Sequence, residues 1–257
     1  MLESFYHHLV AGDGASIVSL FDGFIAIDSP RSGAVSGVQA LHTYLAEEGG
    51  WLRGCQARFD LAATAEDERR KAVELVAWLQ IDGQTIDLPI AIIGQKSGSG
   101  YGQIRIYHST WPLTGRHIAR PPIVWPGPHE AEAPIVRRYF EALEQGDGRT
   151  LNSLFSPDGY VREPSGSRYR HQGSEGRAQF YAAVTAQPGG VGLVHASHTT
   201  QGRLSAVEYV CEQWGRMRFA PMCGCAFYEL DTAGNRITAV RIYDDVTPPA
   251  EDSAGTT

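Results

Sequence analysis

The chain has 257 residues, of which 42% are hydrophobic and 20% charged, and it carries a formal net charge of −7. That length and composition fit two globular domains, each large enough to bury its own core. The basic residues are scattered, which excludes a nucleic-acid partner because phosphate affinity needs clustered Lys and Arg, and no apolar run approaches a membrane span.

The first helical pattern, Leu2, Phe5, Tyr6, Leu9 and Val10, runs into Gly12-Asp13-Gly14. It lacks a basic start, so it reads as a helix and not as a secretion signal. Glycine suits a left-handed helix stop, and Asp13 can cap the next short helix, which carries Ile17, Leu20 and Phe21. A strand over 24–28 ends at Pro30. A third helix follows Gly37, with Val38, Leu41, Tyr44 and Leu45 on one face. Strands are expected over 73–81, 88–94 and 104–107, with Gly98-Ser99-Gly100 as a hairpin turn. In the first of them Val73, Leu75, Ala77 and Leu79 share a face, and Val76 and Trp78 lie on the other.

A stiff, proline-rich linker spans 114–133, and Trp111 and Trp125 suggest that it is pinned to a surface. The same order then returns. Ile135, Val136, Tyr139, Phe140 and Leu143 lead to Gly146-Asp147-Gly148, followed by Leu151, Leu154 and Phe155. A strand over 160–163 meets Pro164, and a helix after Gly173 carries Phe180, Tyr181 and Val184. Strands over 204–214, 220–230 and 237–243 follow, with a turn at Thr232-Ala233-Gly234-Asn235. The tail, 248–257, is small and polar and is expected to be disordered.

Gly146 stands 134 residues after Gly12, Ala206-Val207-Glu208 stands 134 after Ala72-Val73-Glu74, and Arg241-Ile242-Tyr243 stands 136 after Arg105-Ile106-Tyr107. Recurring motifs in constant order mark an internal duplication. Helices followed by strands give an α+β fold in each half: residues 1–113 and 134–247. Both faces of the long strands are apolar, so the halves are expected to pack through their sheets as an intramolecular pseudo-dimer, with further homo-oligomerisation left open.

Cys55, Cys211, Cys223 and Cys225 lack C-x-x-C spacing and are too few for a disulfide framework. They read as buried thiols of a reduced, cytoplasmic protein. Neither H-x-x-x-H nor H-E-x-x-H spacing occurs on a helix, so no metal site is expected. Gly98-Ser99-Gly100 has no following helix to hold a phosphate, and no cofactor is expected.

In these motifs the chain resembles the ketosteroid isomerase and SnoaL-like polyketide cyclase group of the nuclear-transport-factor-2-like superfamily. The resemblance implies two cone-shaped domains, each a curved antiparallel sheet wrapped around N-terminal helices, with an apolar pocket inside. It also implies a catalytic carboxylate before a proline at the end of the first strand, and an oxyanion-binding tyrosine in the first helix, seven residues before the Gly-Asp turn. Glu163-Pro164 and Tyr139 occupy those positions in the second repeat. The first repeat offers Asp28, nine residues before Gly37, but Phe5 replaces the tyrosine. A third acid of the family site has no counterpart; Cys223 and Cys225 stand on that strand.

Glu163 is the first catalytic candidate, because a carboxylate facing an apolar pocket can act as acid or base near neutral pH. Against this stands a solvated glutamate paired with Arg162 or Arg168. Tyr139 could hydrogen-bond an oxyanion or be a core tyrosine. His171 could shuttle a proton or sit in a basic loop. Glu208 could be catalytic or, like its twin Glu74, a domain-interface ion pair. Asp244 and Asp245 end the last strand and point to opposite sides; Asp244 is favoured. Tyr209, Cys223, Cys225 and Tyr243 are candidate substrate contacts, and Asp28 and His108 are the candidates of the first repeat.

These readings favour a cofactor-free acid–base enzyme acting on an apolar small molecule, with the second repeat catalytic. Isomerisation, dehydration and cyclisation of polyketide-like or steroid-like substrates remain open. A non-catalytic ligand-binding or scaffold protein is the rival class. An epoxide-opening enzyme is another, and would need Glu163 and Glu208 to face each other.

Overall fold

The computed structural model describes residues 1–126, 133–243 and 245. The first repeat opens with α1 (Phe5–Ala11) and α2 (Gly14–Val18), then β1 (Ala26–Ser29), β2 (Gly33–Ser36) and α3 (Gly37–Gly54). Four long strands complete it: β3 (Arg58–Glu66), β4 (Arg70–Ile81), β5 (Gln84–Ser97) and β6 (Gly100–Tyr107). A short α4 (Trp111–Thr114) starts the linker. The second repeat has α5 (Pro134–Gln145), α6 (Gly148–Ser153), β7 (Phe155–Arg162), β8 (Arg170–Gln172), α7 (Gly173–Val184), β9 (Val191–Gln201), β10 (Leu204–Trp214), β11 (Met217–Leu230) and β12 (Ile237–Ile242).

The two sheets have the same strand order, β2-β1-β6-β5-β4-β3 and β8-β7-β12-β11-β10-β9. Each is mixed and not purely antiparallel as expected, since β1 runs parallel to β6 and β7 parallel to β12. The opening strand lies beside the closing one of its repeat, and the long path between them fixes their common direction. The end of the opening helix is built alike in both copies. Gly12 and Gly146 take the left-handed conformation, with φ of 69° and 67°. Asp13 then accepts from the Ser16 N–H and Asp147 from the Thr150 N–H, satisfying donors at the next helix start. No helix of the described residues is long and apolar enough to cross a membrane.

Register decides which residues correspond. Asp28 pairs with Arg105, and Arg162 pairs with Arg241. Since Arg105 and Arg241 are twins, Asp28 matches Arg162, and Ser29 matches Glu163. The expectation that Asp28 holds the carboxylate position is therefore corrected by one residue. A slip of one places a side chain on the opposite face of the sheet. Ser29 is buried on the core side, while Asp28 bonds Arg120 of the linker at 2.8 Å.

Between the repeats, Ala65, Ala72, Ala91, Ile93 and Tyr107 pack against Ala206, Cys223, Cys225, Phe227 and Tyr243. Two reciprocal ion pairs lie in this layer. Arg105 and Tyr107 hold Glu208, and Arg241 and Tyr243 hold Glu74. The contact is centred on Ala72 and Glu74, not on Val76 and Trp78; the Trp78 indole donates to Asp60 of its own sheet at 2.7 Å. The linker is tied to both repeats. The Arg120 guanidinium donates to the Ile106 carbonyl, and the Arg120 carbonyl accepts from the Cys223 N–H. Trp111 is half-buried, whereas Trp125 is exposed.

Candidate functional site

A cavity of about 260 Å³ lies inside the second repeat, between α5, α7 and the inner face of its sheet. Its walls are largely apolar: Leu143 from α5, Phe180 and Val184 from α7, and Val191, Leu193, Trp214, Ala226, Val240 and Ile242 from the strands. Tyr139, Tyr181, Tyr209 and Tyr228 add polar tips to that surface. Glu163, Pro164, Ser165 and the linker residue His117 form the more polar end.

Tyr139 lies on the face of α5 that carries Ile135, Val136 and Leu143, which is why helical spacing brings it inside. The Tyr181 hydroxyl donates to the Tyr139 oxygen at 3.1 Å. Burial pushes the Tyr139 phenol up to about 12, although the Tyr181 bond opposes the shift. It is therefore neutral at physiological pH, and it lines an apolar cavity where a developing oxyanion would gain most from a hydrogen-bond donor. Its ring meets Tyr228 edge-on, with centroids 5.4 Å apart.

Glu163 follows β7 at the chain's turn into Pro164, and its side chain is 31% exposed. His171 of β8 reaches it through Nε2 at 2.5 Å. The imidazole stacks on Phe180 at 4.8 Å, so a cavity-lining ring also fixes the histidine. The cavity thus brings Glu163, Tyr139 and Tyr209 together, with His171 behind Glu163.

Several other expected residues lie elsewhere. Glu208 is 1% exposed and points into the layer between the repeats. Arg105 Nε and Nη2 hold its two oxygens at 2.5 and 2.7 Å, and the Tyr107 and Ser197 hydroxyls donate to it. Burial alone would raise its pKa, but the charge and hydrogen bonds of Arg105 outweigh this and hold it low. The ion-pair alternative is what the structure contains. Glu208 and Tyr209 are adjacent on a strand, so only one of them can enter the cavity. The same alternation removes Cys223 and Cys225, which face the interface, while Ala226 and Tyr228 on the same strand face the cavity. Tyr243 also belongs to the interface, where Arg162 lies 4.5 Å from its ring centroid.

In the first repeat, Asp28 faces the linker, and burial raises its pKa against the opposing charges of Arg120 and Arg105. His108 is buried, with Nδ1 3.0 Å from the Ser109 carbonyl, and burial lowers it to about 4. Neither lines the second-repeat cavity. Asp244 lies outside the described residues. Its neighbour Asp245 is buried and holds the linker, bonding the N–H groups of Thr110 and Ile118, the hydroxyls of Ser109 and Thr110, and the ring of His117.

Sequence reasoning missed His117 and Tyr181, while Asp245 was named beside Asp244. Tyr181 carried a signal, since it shares a helix face with Val184. His117 carried none, because nothing local shows a linker folding back over a cavity.

Residues 136–240 match the family of SnoaL-like domains. Among curated proteins none matches the chain. Solved structures similar to it include a Sinorhizobium meliloti protein assigned as a polyketide cyclase, 23% identical, covering 42% of this chain and 92% of that one, with a TM-score of 0.35. A Catenulispora acidiphila protein with a ketosteroid isomerase-like fold, solved with trimethylamine, is 20% identical over 45% of this chain and 88% of its own, with a TM-score of 0.38. TerC, co-crystallised with polyporic acid, is 19% identical over 43% of this chain and 88% of its own, with a TM-score of 0.37. The chain is a tandem of two α+β repeats with the same strand order, joined by a linker, and the second repeat is the part that matches the SnoaL-like domain family.

Proposed function

We propose that the second repeat is an acid–base enzyme for an apolar, carbonyl-bearing small molecule of polyketide-like or steroid-like character. The observation that carries this reading is the placement of Glu163 and Tyr139 on one apolar cavity, each backed by a second polar group. Glu163 takes a proton from carbon next to the carbonyl. His171 orients the carboxylate and accepts part of the proton's charge. Tyr139, polarised by Tyr181, donates to the oxygen on which negative charge develops. Isomerisation, dehydration and cyclisation all begin with this step. The epoxide-opening alternative loses its basis, because Glu208 faces away from Glu163. Four buried thiols suit a reducing compartment such as the cytoplasm.

The test uses 4-phenylbutan-2-one as a ketone probe, with exchange of its α-protons into D₂O followed by NMR. Wild-type protein should accelerate exchange over buffer, and Glu163→Gln should slow it by ~10²-fold or more. Binding of the ketone without exchange would instead identify a ligand-binding domain.

A further inference from the structure

The linker contributes a side chain to the cavity of the second repeat. His117 lines that cavity although it comes from the segment between the repeats, and its side chain is 26% exposed. Its ring is fixed on two sides. Trp111 stacks on it with centroids 4.7 Å apart and planes 20° from parallel. Asp245 holds Nδ1 at 2.8 Å. Asp245 is buried, and burial alone would raise its pKa. Bonds from the Ile118 and Thr110 N–H groups, the Ser109 hydroxyl and His117 lower it instead. An ionised carboxylate only accepts hydrogen bonds, so His117 must donate from Nδ1. Nε2 is then the nitrogen not engaged by Asp245, on a ring that lines the cavity. A carboxylate holding one imidazole nitrogen fixes the tautomer and compensates charge when the other nitrogen carries a proton.

We propose that His117, positioned by Asp245, is a second proton-transfer residue of this cavity, and that the substrate class is a β-hydroxycarbonyl compound that loses water. This rests on the proposed role of Glu163 and Tyr139. Moving one proton along a carbon chain needs one base. Expelling a hydroxyl is served by a base together with an acid, and one member of each of two carboxylate–imidazole pairs lines the polar end of the cavity, Glu163 of Glu163–His171 and His117 of Asp245–His117. Glu163 removes the proton on the carbon next to the carbonyl while Tyr139 hydrogen-bonds the carbonyl oxygen. The C–H electron pair forms the new C=C bond as the C–O bond to the hydroxyl breaks. The hydroxyl departs with its bonding pair, takes the proton from His117 Nε2 and leaves as water. Solvent returns the proton on Glu163 to His117, so the net change is loss of one water.

The probe is 4-hydroxy-4-phenylbutan-2-one, whose dehydration gives the strongly absorbing 4-phenylbut-3-en-2-one. Exchange of its α-protons into D₂O is followed in parallel by NMR. Glu163→Gln should lose both exchange and dehydration. His117→Ala should retain exchange but lose dehydration by ~10²-fold or more, and added imidazole should restore part of the loss. His117→Asn keeps a donor for Asp245, and so the linker's attachment, but should dehydrate as slowly as His117→Ala. Dehydration at the wild-type rate in either His117 variant overturns the inference and leaves the Glu163 reading intact. So does a wild-type protein that exchanges without dehydrating, or a His117→Ala protein that loses exchange as well and is not rescued by imidazole. A wild-type protein that does not accelerate exchange overturns the Glu163 reading and the inference with it.

Discussion

Arg105 of the first repeat clasps Glu208 of the second, with Nε and Nη2 at 2.5 and 2.7 Å from the two carboxylate oxygens. Both side chains are almost wholly buried. Removing one member leaves the other charged and unpaired away from water. Glu208→Gln is expected to lower unfolding stability by about 3–5 kcal/mol. A double change of Arg105→Met with Glu208→Leu should lose much less, because no isolated charge remains. Urea denaturation of the three proteins checks this. Equal losses in the single and double variants would show that the clasp is not acting through desolvated charge.

The reciprocal clasp, Arg241 on Glu74, is less complete. Glu74 Oε2 is buried without a hydrogen-bond partner. Register accounts for the difference, since Ser197 stands opposite Glu208 and donates to it, while Ala63 stands opposite Glu74. Ala63→Ser is expected to supply the missing donor and raise stability by about 1 kcal/mol. No gain in the denaturation midpoint would mean that the hydroxyl does not reach.

His108 sets a pH dependence. Burial holds its folded pKa at about 4, against an ordinary value of 6.5. Between these values the unfolded chain binds a proton that the folded chain excludes, so stability rises with pH across that window. The contribution is complete above pH 6.5 and is lost as pH falls towards 4, about 3 kcal/mol in all at 1.36 kcal/mol per unit. His108→Gln should flatten the stability profile between pH 4 and 6.5. A variant with the wild-type slope would place the titration on another group.

The two repeats should contribute unequally to activity. Asp28 pairs with the linker's Arg120 and faces away from the first-repeat core, so Asp28→Asn is expected to leave ketone α-proton exchange within a few-fold of wild type. Tyr139→Phe and Glu163→Gln should each lower it by ~10²-fold. Melting temperatures must be measured alongside rates, because Asp28 is half-buried. Loss of exchange in a folded Asp28→Asn protein, with Glu163→Gln unaffected, would move catalysis to the first repeat.

Much of the fold is written locally. The Gly-Asp-Gly stops, the helical stripes and the alternating strands could be read because each depends on residues a few positions apart. The edge strands β3 and β9 were less legible. Exposed residues such as Arg58 and Leu61 line β3, and a polar edge breaks the alternation that marks a strand. Tyr139 and Glu163 were named from the family resemblance and Tyr209 as a candidate substrate contact, and all three line the second-repeat cavity. Cys223 and Cys225 were misplaced, and Glu208 was left open between catalysis and an interface ion pair, for one physical reason. When both faces of a strand are buried, hydrophobicity no longer says which parity points inward. Bulges at Glu208/Tyr209 and Cys211/Gln213 shift the pairing further. Asp28 was misaligned by the extra residue between it and Pro30, and only strand pairing reveals that Ser29 is the counterpart of Glu163.

A single covalent bridge between two similar repeats breaks a degeneracy that a dimer of separate copies must keep. In such a dimer every substitution occurs twice, and any strap leaving one subunit has an equal twin. Here the bridge occurs once, and it supplies His117 to one cavity alone. Glu163 can face Ser29 across the duplication, and Ser197 can face Ala63, without either change being imposed on both halves. The paired clasps keep the shared boundary nearly symmetric, so one half is free to specialise while the other continues to hold it in place.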